Sequence, residues 1–227
     1  MNPHVALTLI ALLAGVSFES QARSPEILHL KSSLSINAPP SAALLNVVAL
    51  YLNTYVSHPI PTNLPISSSN NSAFWSTEVP SISVKKYIKR LQSKLNIHDS
   101  TVWIMVLHYA NLFHNPTNAN PLQSINKYTV HRFIVTAVLV ADKVINDFPM
   151  KNSFVARSGG IKLEEINYLE VQFARILNWK LQCVPESMNH LWEQILAADK
   201  WLSIRGQHIL PVKNYQQHFS FINPTRN

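Results

Sequence analysis

Apolar residues recur every three to four positions through most of the chain between residues 41 and 200. The stretch SISVKKYIKRLQSKL has apolar residues at helical spacing and lysines on the other side, which predicts an amphipathic helix capped by Ser81 or Ser83. The stretch TVHRFIVTAVLVADKVINDF is apolar on nearly every side and is expected to be the central buried helix. No segment alternates between apolar and polar residues as a half-buried strand does. The pattern predicts an all-α fold, a helical bundle of about five to six helices around that central helix.

The same pattern divides the chain into three parts. Residues 1–40 are an apolar segment followed by a linker, residues 41–200 form the helical domain, and residues 201–227 are a tail without a clear period. Residues 5–18 resemble the apolar region of a secretory signal peptide, although no Lys or Arg precedes them. This run is too short for a comfortable membrane span. A signal over residues 1–22, a core helix and an extension from an incorrect start codon all stay open at this point, and so does membrane association.

Charged residues make up only 14% of the chain, which is typical of a protein that covers part of its surface with a partner. The net charge of +7 favours acidic partners. The basic residues are nevertheless scattered, apart from Lys85, Lys86, Lys89 and Arg90, so nucleic acid is not the expected partner. The single cysteine, Cys183, excludes an intrachain disulfide and fits a reducing compartment. A protein of the cytoplasm or nucleus is therefore expected, with secretion as the alternative.

No catalytic constellation is visible in the sequence. It contains no HExxH or CxxC motif, no glycine-rich phosphate loop and no nucleophile elbow. None of the chain's many histidines lies at ligand spacing from a cysteine or a carboxylate. Neither an enzymatic activity nor a metal, a cofactor or a small-molecule ligand is therefore expected. A binding role becomes the leading class of function.

Two of the chain's few glycines are adjacent, at Gly159 and Gly160. Because glycine adopts backbone conformations that a Cβ atom forbids, the pair predicts a sharp turn at the end of a short helix. The residues that follow have helical spacing, and Glu170 lies in the middle of that helix beside its apolar stripe. A docking face needs such an arrangement, because apolar residues supply contact area and a charge fixes the register.

The order and spacing of five motifs resembles the P-type and U-type cyclins, the branch that includes the phosphate-response cyclins of yeast. The motifs are Pro80 to Ser83, Val130 to Arg132, Ala141 to Lys143, Ala156 to Gly160, and Leu169 with Glu170. The resemblance covers roughly residues 42–185. It implies the helical fold of a single cyclin box.

The resemblance also implies a function: a regulatory subunit that binds a cyclin-dependent protein kinase and activates it by holding the kinase C-helix in its active position. It implies that Lys143 and Glu170 bond to backbone groups of the kinase. The helical spacing predicts that Asp147 shares a face with Lys143, and that Leu181 shares one with Glu170. The complete set of residues expected on the kinase-binding face is Lys143, Glu170, Val140, Val144, Ala174, Trp179, Leu181 and Asp147.

Two positions depart from the family pattern. Asn111 stands where many cyclins have the aspartate of a Tyr-Ile-Asp motif, so it cannot form a buried ion pair with an arginine. Val144 replaces the usual aromatic residue after the key lysine, which reduces the expected apolar contact with a kinase. The alternatives are a helical adaptor that retains the cyclin box without binding a kinase, a secreted helical protein and a helical nucleic-acid binder. For Lys143 and Glu170 the alternative is a salt bridge internal to the protein.

Overall fold

The computed structural model describes residues 39–57, 73–113 and 124–183, together with positions 187, 188, 190, 191 and 193. These residues contain six complete helices and no strand. The helices are α1 (Ala42–Val56), α2 (Val84–Leu95), α3 (Ser100–Phe113), α4 (Val130–Ile145), α5 (Asn152–Gly159) and α6 (Leu163–Ile176). The five isolated positions are also helical. The predicted all-α fold and number of helices are confirmed.

The chain ends lie outside the described residues. This applies to residues 1–38, with the signal-like run at residues 5–18, and to the predicted tail at residues 201–227. The division of the chain into three parts therefore stays a prediction. Within the part that the structure describes, no helix combines the length and the apolar composition needed to cross a membrane.

The central helix is α4, as its composition predicts. Every side chain from Phe133 to Asp142 is buried, and α4 packs against α2, α3, α5 and α6. The ring of Phe173 on α6 lies against that of Phe133, with 5.8 Å between their centroids, and also packs against Tyr109 and Phe113. Aromatic rings in such tilted and edge-on contacts stabilise a core beyond the area that they bury. This cluster holds α4 and α6 side by side.

Polar side chains begin three of the helices: Ser41 caps α1, where its hydroxyl accepts a hydrogen bond of 3.1 Å from the backbone N–H of Leu44. Ser83, rather than Ser81, caps α2, because its hydroxyl accepts a hydrogen bond of 3.4 Å from the backbone N–H of Lys86. Asp99 precedes α3, and its Oδ1 accepts a hydrogen bond of 2.7 Å from the backbone N–H of Thr101. Each cap satisfies an N–H group that has no partner within its helix.

The glycine pair ends α5 as predicted, and each glycine is needed for a different reason. Gly160 has a φ of 76°, in the left-handed region that L side chains rarely adopt. Gly159 is still helical, but a Cβ atom there would lie 2.6 Å from Cγ2 of Val135 in α4. The first glycine therefore permits close packing of α5 on the central helix, and the second permits the turn into α6.

Side chains of α2 satisfy the carbonyl groups at the end of α5. The hydroxyl of Tyr87 donates a hydrogen bond of 2.9 Å to the carbonyl of Gly159, and Nε of Arg90 donates one of 3.1 Å to the carbonyl of Ser158. Burial raises the pKa of Tyr87 well above its usual value, so the hydroxyl keeps its proton and donates. These bonds fix the end of α5 against α2.

The central helix ends earlier than the sequence pattern predicts. It stops at Ile145, so Asp147 lies in the following turn and does not share a helix face with Lys143. The cause is the buried carboxylate of Asp142, which accepts hydrogen bonds of 2.7 Å from Nδ2 of Asn146 and 2.6 Å from the backbone N–H of Met150. These bonds turn the chain back towards α5.

The last described helix also ends before its predicted limit. It stops at Ile176, and Asn178 and Trp179 then have positive φ angles of 50° and 60°. Because left-handed residues change the direction of the chain, Leu181 does not continue the face of α6, and that expectation is wrong. The carbonyl of Leu181 instead accepts a hydrogen bond of 2.6 Å from the hydroxyl of Tyr109 on α3.

Candidate functional site

Lys143 and Glu170 form a salt bridge between α4 and α6. Nζ of Lys143 lies 2.6 Å from Oε1 of Glu170, and the two side chains are 33% and 25% exposed. The lysine is in the last turn of α4, and the glutamate is in the middle of α6. An ion pair as exposed as this stabilises a fold by about 1 kcal/mol or less. Both groups are therefore accessible to a partner, and the fold does not depend on them.

The second oxygen of Glu170 is bonded to α5. Nδ2 of Asn152 donates hydrogen bonds of 2.8 Å to Oε2 of Glu170 and 2.8 Å to Oδ1 of Asn167. These three residues and Lys143 are called the polar cluster below. No spacing or composition signal marks Asn152 or Asn167, so the sequence does not reveal either asparagine as part of the site. The cluster joins α4, α5 and α6 at one end of the bundle.

Exposed apolar side chains lie close along the chain to residues of the polar cluster. Val144 and Val171 each follow one residue of the salt bridge along the chain, and both are exposed. Phe148, in the turn between α4 and α5, is 97% exposed, and Phe154 on the first turn of α5 is exposed as well. Periodicity did not reveal Phe148, Phe154 or Val171, because it predicts which residues share a face but not which of them a neighbouring element covers. Apolar area beside hydrogen-bonding groups is typical of a protein-binding face.

The other predicted site residues differ in their surroundings. Val140 and Ala174 are only 3% and 4% exposed, so they present almost no surface to a partner. This corrects the expectation that both contribute contact area. Trp179 and Asp147 are exposed in the turns after their helices, and Leu181 is partly buried. Their contacts with a kinase stay predictions, as do those of Lys143, Glu170 and Val144.

The departure at Asn111 is accommodated inside the protein. Oδ1 of Asn111 on α3 accepts a hydrogen bond from the hydroxyl of Tyr51 on α1, and Tyr55 donates to the Tyr51 hydroxyl at 2.9 Å. Burial raises the pKa of Tyr51 to about 12, so its hydroxyl stays protonated. A neutral network between α1 and α3 thus occupies the position of an ion pair. It lies on helices other than those of the polar cluster, so this departure has no direct effect on the site.

The His-Arg motif at the start of α4 has a structural role. Nε2 of His131 donates a hydrogen bond of 2.8 Å to the carbonyl of Ile82, ahead of α2. Nε of Arg132 lies 2.6 Å from Oε1 of Glu165, in the first turn of α6. The motif therefore ties the beginning of α4 to α2 and α6, at the end of α4 away from Lys143.

The described residues offer binding groups and no reactive ones. No three His, Cys, Asp or Glu side chains in that part of the chain are close enough to hold a metal ion. Burial raises the pKa of the Cys183 thiol, which disfavours the nucleophilic thiolate. A hydrogen-bonding cluster on rigid helices, with apolar residues beside it, defines a helical protein-binding module.

The family model for cyclins matches residues 30–181, and the chain belongs to the cyclin family. It is 29% identical to Cyclin-U4-1 of Arabidopsis thaliana over 133 residues, which are 59% of this chain and 64% of that protein. It is 33% identical to Cyclin-P4-1 of Oryza sativa over 114 residues, covering 50% of this chain and 52% of that one. The identity to PHO85 cyclin-7 of Saccharomyces cerevisiae is 29% over 123 residues, 51% of this chain and 43% of the yeast protein.

These comparisons confirm the resemblance to P-type and U-type cyclins. Cyclins are regulatory subunits rather than enzymes, which agrees with the expectation drawn from the motifs. The chain spans only part of its relatives, 64% of Cyclin-U4-1 and 53% of Cyclin-U4-2. The cyclin-box fold is thus established from both the helices and the family.

Proposed function

We propose that this cyclin binds a cyclin-dependent protein kinase through Lys143 and Glu170 and activates it by holding the kinase C-helix in the active position. The proposal rests on one observation above all: an exposed salt bridge of 2.6 Å joins α4 to α6 beside exposed apolar side chains. It is also supported by a relative that is, by its name, the cyclin of PHO85.

The salt bridge keeps hydrogen-bonding capacity for a partner. The ammonium group of Lys143 has three donors, and its bond to Glu170 uses one of them. The carboxylate of Glu170 has about four acceptor positions, of which Lys143 and Asn152 occupy two. Donors and acceptors are therefore left for the carbonyl and N–H groups that a helix end leaves without partners.

The site is also held in place before a partner arrives. Lys143 and Asn152 fix the Glu170 carboxylate from two sides, and each belongs to a different helix. Little side-chain entropy is then lost on binding, which favours affinity. The neighbouring apolar residues, with Phe148 the most exposed of the described ones, supply area that a partner removes from water.

Activation follows from differential binding to two states of the kinase. A protein kinase is active only when the ion pair between its own lysine and its C-helix glutamate is formed. A rigid cyclin face that fits the active position of the C-helix stabilises that state by the difference between its two binding free energies. The cyclin takes no part in phosphoryl transfer under this proposal.

The test is a titration of the kinase, identified by affinity purification of the full chain and mass spectrometry, with native cyclin and two isosteric variants. Glu170→Gln removes the charge from the proposed site. Glu165→Gln removes the same charge from the bridge to Arg132, which is also 2.6 Å long and similarly exposed, so it is a matched control. The expected result is activation weakened about tenfold or more by Glu170→Gln and little changed by Glu165→Gln. Equal effects of the two variants contradict the proposal.

A helical adaptor that binds proteins other than kinases is the second candidate. The observation that favours it is Val144, which offers less apolar area than the aromatic residue usual in cyclins. A set of bound proteins that contains no kinase, and that is lost with Glu170→Gln, supports the adaptor and contradicts kinase activation.

A further inference from the structure

A second surface of the molecule, separate from the polar cluster, is formed by the cations of α2. They are called the α2 basic face and comprise Lys85, Lys86, Lys89, Arg90 and Lys94. All of them are exposed, and the 12-residue helix contains no acidic residue. Its other face is apolar and buried in the core. The whole chain has 19 Lys and Arg in 227 residues, so this helix concentrates positive charge.

The like charges of the α2 basic face destabilise α2. Lys86, Arg90 and Lys94 follow one another at intervals of four residues, so like charges lie on successive turns and repel. Lys85 and Lys86 are in the first turn, where the helix dipole is already positive and no acidic residue is present. No salt bridge between two residues that the structure describes involves a lysine of α2. An unfavourable charge arrangement of this kind is relieved when an anionic partner binds.

The positive surface continues from α2 onto the turn between α5 and α6. The guanidinium of Arg90 lies against Gly160, and its Nε is bonded to the carbonyl of Ser158. Arg157 and Lys162, on either side of that turn, are exposed. The acidic residues of the adjoining first turn of α6 are Glu164 and Glu165, and Glu165 is already bonded to Arg132. Arg90 is therefore bonded within the protein, and the lysines around it remain available to bind a partner.

We infer that the α2 basic face docks a carboxylate-rich segment of a protein partner. The helix is about 18 Å long, which an extended segment of about six residues spans. The charges are mostly lysines, whose flexible ammonium groups suit separate carboxylates. Each carboxylate of such a segment would meet one or two cations and relieve the repulsion within α2.

Other anionic partners fit this face less well. No aromatic residue is exposed on α2 to stack on the bases of a single-stranded nucleic acid, because Tyr87 is buried. The apolar residues of α2 are all in the core, so the helix has no apolar side that could enter a membrane surface. A carboxylate-rich peptide needs neither feature.

The α2 basic face and the polar cluster lie at opposite ends of α5. Asn152, the first residue of α5, is bonded to Glu170, whereas the carbonyl of Ser158, near its end, is bonded to Arg90. An eight-residue helix separates the two surfaces by about 12 Å. A partner on α2 therefore leaves the polar cluster open, and this inference does not depend on the proposed kinase function.

The experiment measures binding of a fluorescent 12-residue peptide rich in Glu and Asp to the full chain, with the corresponding Gln and Asn peptide as the neutral probe. The docking variant carries Lys86→Gln, Lys89→Gln and Lys94→Gln and keeps Arg90. The control variant carries Lys127→Gln, Lys151→Gln and Lys180→Gln, three exposed lysines elsewhere in the chain, so both variants lose the same net charge. We expect about a tenfold or greater loss of affinity in the docking variant and less than about twofold in the control.

The melting temperature, kinase binding and the binding of other anions provide three further tests. The docking variant is expected to melt at the same or a higher temperature than the native chain, because repulsion within α2 is reduced. Its kinase binding is expected to be unchanged, so a failure of this inference is distinguishable from a failure of the proposed function.

The inference is overturned if the native chain does not bind the acidic peptide saturably, or if both variants lose affinity equally. It is also overturned if duplex DNA or anionic phospholipid vesicles bind more tightly through the same lysines.

Discussion

Asn152 donates a hydrogen bond of 2.8 Å to Oε2 of Glu170, the carboxylate oxygen that Lys143 does not contact. Lys143 holds Oε1 from α4, and Asn152 holds Oε2 from the start of α5. The plane of the carboxylate is thus determined by two helices other than its own. The affinity of any partner that hydrogen-bonds to Glu170 therefore also depends on the position of α5.

Replacing Asn152 with alanine is therefore expected to weaken kinase binding without removing a charge from the site. The loss of one hydrogen bond to a carboxylate corresponds to about a tenfold loss of affinity. Asn167→Ala is the control, because it removes the other acceptor of the same amide and leaves the bond to Glu170. Isothermal titration calorimetry of both variants against the kinase checks the prediction. Similar losses in the two variants would show that the position of α5 in general, and not the orientation of the Glu170 carboxylate, determines the affinity for the kinase.

Phe148→Ala is expected to reduce partner binding and to leave the fold intact. Its ring is 97% exposed, so truncation removes no internal contact of any size. If the ring becomes buried in the complex, the loss is about 1 kcal/mol or more in binding free energy. Leu163→Ala, an exposed apolar residue at the far end of α6, provides the comparison in the same titration. Unchanged affinity in Phe148→Ala would exclude this ring from the interface.

Gly159→Ala is expected to lower the free energy of unfolding by about 1–3 kcal/mol, because the new methyl group overlaps Val135. The double variant with Val135→Ala should lose less than the sum of the two single losses, since the obstructing methyl is then absent. Gly160→Ala costs about 1–2 kcal/mol through its positive φ, and Val135→Ala should not relieve that cost. Urea unfolding of the three single variants and of the two double variants with Val135→Ala measures these losses. Strict additivity between positions 159 and 135 would contradict the packing explanation.

The stability of the fold is expected to fall in mild acid. Burial lowers the pKa of both His108 and His131 below the usual 6.5. Below that pH the unfolded chain binds more protons than the folded one, so the contribution to stability is complete above about pH 6.5 and declines as the pH falls further. In His131 burial outweighs the hydrogen bond from Nε2 to Ile82, which acts in the opposite direction, and Nδ1 is buried with no partner among the described residues.

The measurement for this prediction is urea unfolding at about pH 7.5 and about pH 5.5. His131→Gln should lose less stability between the two values than the native chain does. His98→Gln, at an exposed histidine that bonds only to Asn96 among the described residues, serves as the control and should keep the native pH dependence. A steeper loss in His131→Gln than in the native chain would be the opposite of the expected sign.

The helices and the central position of α4 could be predicted because apolar periodicity reports directly on burial. Lys143 and Glu170 could be chosen as site residues because the motifs around them are specific. The sequence offered the salt bridge between them only as the alternative to contacts with a kinase, since its formation depends on how α4 and α6 are rotated about their axes. The burial of Val140 and Ala174 could not be predicted for the same reason. A shared helix face does not reveal whether a neighbouring helix or solvent covers it.

The wrong assignment of two residues to helix faces has a different cause. Periodicity continued past the true ends of two helices, so Asp147 and Leu181 were assigned to helix faces. The end of α4 depends on the buried carboxylate of Asp142, whose hydrogen bonds reach Met150. The end of α6 includes a tryptophan, Trp179, at a positive φ, which is uncommon for a bulky residue and carries no sequence signal.

The eight-residue helix α5 is held at both ends by side chains of other helices, Asn152 bonding to Glu170 at its beginning and Tyr87 and Arg90 bonding to its final carbonyls. A helix of this length does not persist alone in water. Its helical form is therefore maintained by the packing of its buried residues on the rest of the bundle, together with the bonds at its two ends. The hydrogen-bonded amide hydrogens of α5 should exchange with solvent slowly, although three of its eight residues are exposed. The polar cluster and the α2 basic face are thus joined by one continuous helix of about 12 Å, with no loop between them.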